Sequence, residues 1–258
     1  MQPNPRRFVD RKHISRIVLN NVTSTYTRSR PISGDEEAVF WSGFMGLIPL
    51  GLTEQALDVF RDMRGYSSLL QKYCCGEAPT CTRIEMIDMR NAVQHRLVSL
   101  PLGSDRKHMT MQQTGIYECC RLTALLYACA VTFPLPPSMG WDRNLVRGIK
   151  QTLENLSLES WPIYCSDFHL WVLVLAGIAA FQKAERSWFV DKLRNLAWRK
   201  GLSDWSQVLP TLKSFLWMDM ACGAGGISLW DEVRGWTPES SPPEDGISPW
   251  IGCSSCLP

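Results

Sequence analysis

The sequence predicts an all-α fold, an irregular multi-helix bundle of roughly eight to ten helices with a mobile C-terminal tail. Three observations carry that expectation. Apolar residues recur every three or four positions through most of the chain, no comparable run alternates with the period of two that a strand requires, and the periodic stretches are bounded by proline, glycine, hydroxyl and acidic residues. Of the 258 residues, 45% are hydrophobic and 20% charged, enough apolar material for a sizeable core. The eleven tryptophans fall inside the apolar segments, so they read as packing residues.

The organisation expected is a basic N-terminal segment over 1–34, a helical domain over 35–236 with a candidate lobe junction at 102–111, and a flexible tail over 237–258. Asp35, Glu36 and Glu37 suit the positive end of a helix whose apolar face is Ala38, Val39, Phe40, Trp41, Phe44 and Leu47, closed by Pro49 and Gly51. Thr53 is the expected N-cap of the next helix, carrying Ala56, Leu57, Val59, Phe60 and Met63 and interrupted at Gly65. Ser67 to Tyr73 adds further turns before a connector. Beyond Cys81, the set Ile84, Ile87, Met89, Val93 and Leu97 predicts another helix, ending near Pro101.

After the polar stretch from Leu102 to Met111, helical spacing resumes at Ile116, Cys119, Cys120, Thr123, Leu126, Tyr127 and Ala130, and halts at Pro134, Pro136 and Pro137. Leu145, Ile149, Leu153 and Leu156 line one face of the next helix. Trp161-Pro162 then opens an apolar helix running through Phe181. Its uninterrupted run, Leu170 to Phe181, is twelve residues long, short of the roughly 20 needed to span a bilayer. No membrane association is expected. Trp188, Phe189, Leu193, Leu196 and Ala197 form a helix stopping at Gly201. A last helix is expected from Ser203 and Trp205 through Val208, Leu212, Phe215, Leu216 and Met220, with Pro210 in its first turn and a glycine-rich tail from Gly223.

The formal charge of +2 excludes a whole-chain field that would hold nucleic acid or an anionic membrane. Arg6, Arg7, Arg11, Lys12 and Arg16 form the one concentrated basic stretch, a candidate contact or nuclear-import segment set against a plain solvated helix. No apolar signal segment follows Met1, so an intracellular chain with reduced cysteines is expected, and Cys119, Cys120 and Cys129 read as small buried hydrophobes.

Catalytic and cofactor signatures are missing from the sequence: no nucleophile elbow, phosphate-binding loop, paired-histidine zinc motif or dinucleotide fingerprint. The expectation is therefore no enzyme, no catalytic residues, no cofactor and no bound metal. His13, His95, His108 and His169 lie too far apart in sequence for a helical ligand pair. Asp167 and His169 are two residues apart, which on a helix sends their side chains in different directions. Cys253 and Cys256 have half-site spacing but lack a second pair. Asp219, flanked by Met218 and Met220, calls for a partner, and Arg186 is the candidate for a buried ion pair.

The segments Tyr117-Glu118-Cys119-Cys120-Arg121-Leu122 and Phe133-Pro134-Leu135-Pro136-Pro137 resemble the fungal-specific regulatory region of zinc binuclear cluster transcription factors. Trp171-Val172-Leu173, Arg186-Ser187-Trp188-Phe189-Val190, Phe215-Leu216-Trp217-Met218-Asp219 and Leu229-Trp230-Asp231-Glu232-Val233 continue the resemblance, which extends over about 36–236. Cys222 is followed by Gly223 where the family pattern has an acidic residue. The resemblance implies a nuclear regulatory module that works through protein partners or coregulators, or as a homodimer. Such proteins carry a six-cysteine DNA-binding module, but no paired cysteine series precedes Cys74, so direct DNA contact by this chain is not expected. The alternatives are a helical small-molecule-binding protein or enzyme, and a truncated or degenerate gene product.

Overall fold

The computed structural model describes residues 43–77, 81–106, 108–136, 139–156 and 165–235. The basic stretch Arg6 to Arg16, the residues through Trp41 in the first predicted helix, Trp161-Pro162, the expected tail over 237–258 and the Cys253/Cys256 pair lie outside them. Among the described residues there is no strand, and eight α-helices follow in order. These are α1 (Glu54–Cys74), α2 (Arg83–Val98), α3 (Met111–Tyr127), α4 (Trp141–Glu154), α5 (Cys165–Ala179), α6 (Arg186–Lys200), α7 (Trp205–Lys213) and α8 (Asp219–Val233). No helix among the described residues is long and apolar enough to cross a membrane.

Local chemistry sets most boundaries. The Thr53 side chain accepts from the Ala56 amide at 3.3 Å and opens α1. Reciprocal capping boxes, Thr82 with Glu85 and Thr110 with Gln113, open α2 and α3. At the end of α3 the ladder widens into a π turn, Ala128–Thr132, closed by the Phe133 amide on the Ala128 carbonyl at 2.7 Å. Pro134 and Pro136 follow at once, so the helix cannot resume. Gly201, at φ 64°, ends α6.

Helix α5 is the organising element. From Phe168 to Ala179 every residue is buried, and it packs against α3, α4, α6, α7 and α8. Aromatic rings gather on it: Trp171 stacks on Phe215 with centroids 5.3 Å apart, Phe44 meets Trp171 edge-on at 5.6 Å, and Phe60 joins through Phe44 at 5.1 Å. The buried Trp171 indole donates to the Leu216 carbonyl at 2.9 Å. That carbonyl lies in the stretch between α7 and α8. A single apolar cluster continues from Phe44 to Val233.

Five expectations need correction. Gly65 does not interrupt α1, which runs unbroken to Cys74. The ~1 kcal/mol that glycine costs against alanine in a helix is offset by burial of Met63, Tyr66 and Leu70 around it. On α2 the inner face is Met86, Val93 and Leu97, while Ile84 in the first turn is 71% exposed. The last predicted helix is two: α7 stops at Lys213 and α8 starts at Asp219, with Phe215 to Met218 turned into the core between them. Pro210 is inside α7, not in its first turn; the Ser206 carbonyl it leaves without an amide belongs to an exposed residue that water can reach. Finally, Gly223 lies within α8. The glycines of this helix permit close approach. A Cβ on Gly226 would fall within 2.7 Å of Cζ2 of Trp205, and one on Gly177 of α5 within 2.7 Å of Cδ2 of Leu229.

The same geometry separates two glycine substitutions. Gly177→Ala should destabilise by roughly 1–3 kcal/mol through overpacking against Leu229. Gly223→Ala, with nothing within 4 Å of the added carbon, should stabilise by roughly 0.5–1 kcal/mol. Urea unfolding of the two variants checks the difference in sign.

Candidate functional site

Three helices converge where α5 ends. Arg186, the first residue of α6, donates from Nε and Nη2 to the two carboxylate oxygens of Glu232 at 3.0 and 2.6 Å, and from Nη1 to the Gly177 carbonyl at 2.5 Å. One guanidinium thus ties α6 to both α5 and α8. Arg194, two turns further on, donates to the Val233 and Glu232 carbonyls at 3.0 and 3.2 Å, placing a cation at the negative end of α8. Lys183 does the same for α5, donating to the Ala179 carbonyl at 2.5 Å while pairing with Asp142 of α4 at 2.7 Å.

The expected Asp219–Arg186 pair is therefore corrected. Asp219 begins α8 and Glu232 lies near its other end, about 20 Å away at 1.5 Å per residue, and Arg186 reaches only the latter. Asp219 instead pairs with Lys213 at 2.7 Å and accepts from Nε1 of Trp217 at 2.8 Å, an anion at a helix's positive end. Glu232 was not singled out from sequence. Its spacing on the face next to the buried Leu229 and Val233 is the signal that points to it.

A second tie holds the stretch after Pro101 against α3. The Tyr117 hydroxyl donates to the Pro101 carbonyl at 2.8 Å, and the Arg106 guanidinium covers the Tyr117 ring at 4.4 Å. Glu118 accepts from the Gly103 amide at 3.2 Å and takes two bonds from Arg121 at 2.9 and 2.5 Å. Tyr117, Glu118 and Arg121 of the quoted sequence segment are thus clamp residues.

Burial shifts one imidazole and five thiols toward their neutral forms. His169, 4% exposed on α5, is pushed down to about 4 by burial, with Arg199 and Lys192 adding to the effect. Burial raises Cys119 and Cys120 well above the ordinary thiol value, Cys222 to about 12, and Cys129 and Cys165 to about 11. Asp167 pairs with Lys200 of α6 at 2.6 Å. Among the described residues no group of three His, Cys, Asp or Glu side chains could hold a metal ion.

Apolar side chains also face outward. Trp198 on α6 is 83% exposed and Met111 at the start of α3 is 87% exposed. On α8, Met220, Ala224 and Ile227 share one exposed stripe at helical spacing.

The described residues define an all-α domain, and no metal cluster is found among them. The family model described as "Fungal specific transcription factor domain" matches residues 67–237, from the middle of α1 to just past α8, and the chain belongs to this family. No curated protein matches the chain. No solved structure matches it either.

Two measurements test the site. In a double-mutant cycle of Arg186→Met and Glu232→Gln, followed by chemical denaturation, a coupling of about 1–3 kcal/mol is expected, because the pair is shielded and bidentate; a coupling near zero contradicts the tie. The His169 ring, with a folded pKa below the unfolded ~6.5, gains its proton first in the unfolded chain. Stability should thus fall as pH drops from about 6.5 to about 4, by about 3 kcal/mol from this group. Denaturation of His169→Gln across that range should show a correspondingly smaller loss.

Proposed function

We propose that this chain is a transcription-regulatory domain that acts in the nucleus by binding proteins, either coregulators or a second copy of itself. The observation that carries the reading is the family match over 67–237, which contains the whole α5–α6–α8 node. The clamps fit the role. They fix α6 and α8 rigidly, so that the outward Trp198, Met220 and Ile227 are presented on elements whose positions are set by the core. Exposed aromatic and methionine side chains on a firm helix supply apolar contact area at low ordering cost. The reading assigns no DNA contact and no catalysis to the helices.

The test fuses the full chain to an unrelated DNA-binding domain and measures reporter transcription, with coregulator recovery by affinity purification. A change in reporter output that Trp198→Asp or Ile227→Asp removes, without loss of helical signal, is expected. A reporter at baseline with no coregulator or self-association recovered, in a chain confined to the cytoplasm, contradicts the proposal.

A further inference from the structure

Of the seven tryptophans among the described residues, six are buried or half-buried and one is not. Trp198 of α6 is 83% exposed, although an indole gains more than most side chains from being covered. Charge on the same helix is equally unbalanced. Helix α6 carries five cations and one acid, and Arg186, Arg194 and Lys200 have acidic partners. Lys192 and Arg199 form no ion pair among the described residues. They lie two turns apart on one side of the helix, with the Lys192 ammonium 5.5 Å from the centre of the Trp188 ring. The outward face of α6 is thus aromatic and basic.

The chain leaves α8 beside this face. Arg194, one turn before Trp198, donates to the Val233 carbonyl at 3.0 Å. Arg234, just past the end of α8, pairs with Asp204 at 3.7 Å, beyond the end of α6. These two contacts bracket Trp198 along α6, so the end of α8 lies alongside it. Gly235, at φ 80°, then turns the chain out of the helix.

The residues that follow match the face in charge and composition. Residues 236–258 include Glu239, Glu244 and Asp245 and no lysine, arginine or histidine, a wholly acidic segment opposite two open cations. Trp250 and Ile251 come close behind the acids and offer apolar cover for the Trp198 indole. Length is sufficient. From Gly235 to Trp250 the extended chain reaches up to roughly 50 Å, whereas α6 is about 22 Å long. Because the segment is tethered next to its site, its effective concentration there is high and individually weak contacts suffice.

We infer that the segment 239–251 docks across the outward face of α6, its acids on Lys192 and Arg199 and its apolar residues on Trp198. Docking is read on the chain alone and so stands apart from the regulatory reading. Where both hold, the segment competes with protein partners for Trp198.

The test replaces Trp198 with the photoreactive aromatic residue benzoylphenylalanine in the full chain, in an equal mixture of isotopically light and heavy protein. After irradiation and digestion, mass spectrometry should find position 198 linked to residues 244–251 of the same chain, well above the level in denatured protein. The pair Lys192→Glu and Arg199→Glu should lower that yield about fivefold. Adding Glu239→Lys, Glu244→Lys and Asp245→Lys should restore it, which a reversal acting through unfolding could not do. Links no more frequent than in denatured protein, or a yield indifferent to the reversal or not recovered by the exchange of charges, would overturn the inference. Links found only between light and heavy chains would assign the face to a second copy and would equally overturn it.

Discussion

A helix with no wet side has to be surrounded, and α5 is such a helix. Everything around it follows from that requirement. Its small residues, Ala176, Gly177 and Ala179, let α8 come close enough for Leu229 to rest where a side chain on Gly177 would be. Its largest residue, Trp171, brings an N–H into the core that must be paired. The pairing partner is a carbonyl that no helix uses, Leu216, so the chain has to leave helical geometry between α7 and α8. The break, the aromatic stack of Trp171 on Phe215 and the burial of α5 are thus one solution to one constraint.

The polar clamps complete it from outside. Lys183 and Arg186 neutralise the free carbonyl end of α5, and Arg194 that of α8, so that cations sit where helix dipoles are negative. Because Arg186 also holds Glu232, the orientation of α6 relative to α8 is fixed by a charged, forked bond and not by apolar packing alone. For a domain proposed to work by docking, this matters more than reactivity does. The outward residues of α6 and α8 inherit the rigidity of the node, while the Cys222 thiol and the His169 imidazole are kept neutral inside.

Much of this was legible in the sequence, and the exceptions are instructive. The cap at Thr53, the proline stop after α3 and the glycine end at Gly201 depend on neighbouring residues only, and local chemistry reveals them. Gly65 looks like a breaker until the burial around it is known, and the glycine-rich start of α8 reads as a tail until the room that Trp205 needs at Gly226 is known. Periodicity ran straight through Phe215 and Leu216 because residues that turn into the core at a break are as apolar as those on a helix face. Asp219 reads as a carboxylate that needs a cation, but which cation it meets depends on which end of α8 faces α6, and it meets Lys213 while Arg186 takes Glu232.

Native-state hydrogen exchange measured residue by residue, across a denaturant series, tests the central claim most directly. If α5 organises a single core, its amides and those of α3, α6 and α8 should exchange only by global unfolding, converging on one free energy with one denaturant dependence. If α5 exchanges through a smaller opening that leaves α1, α2 and α3 protected, then two units meet along the chain and the buried helix is not the constraint on which the fold depends.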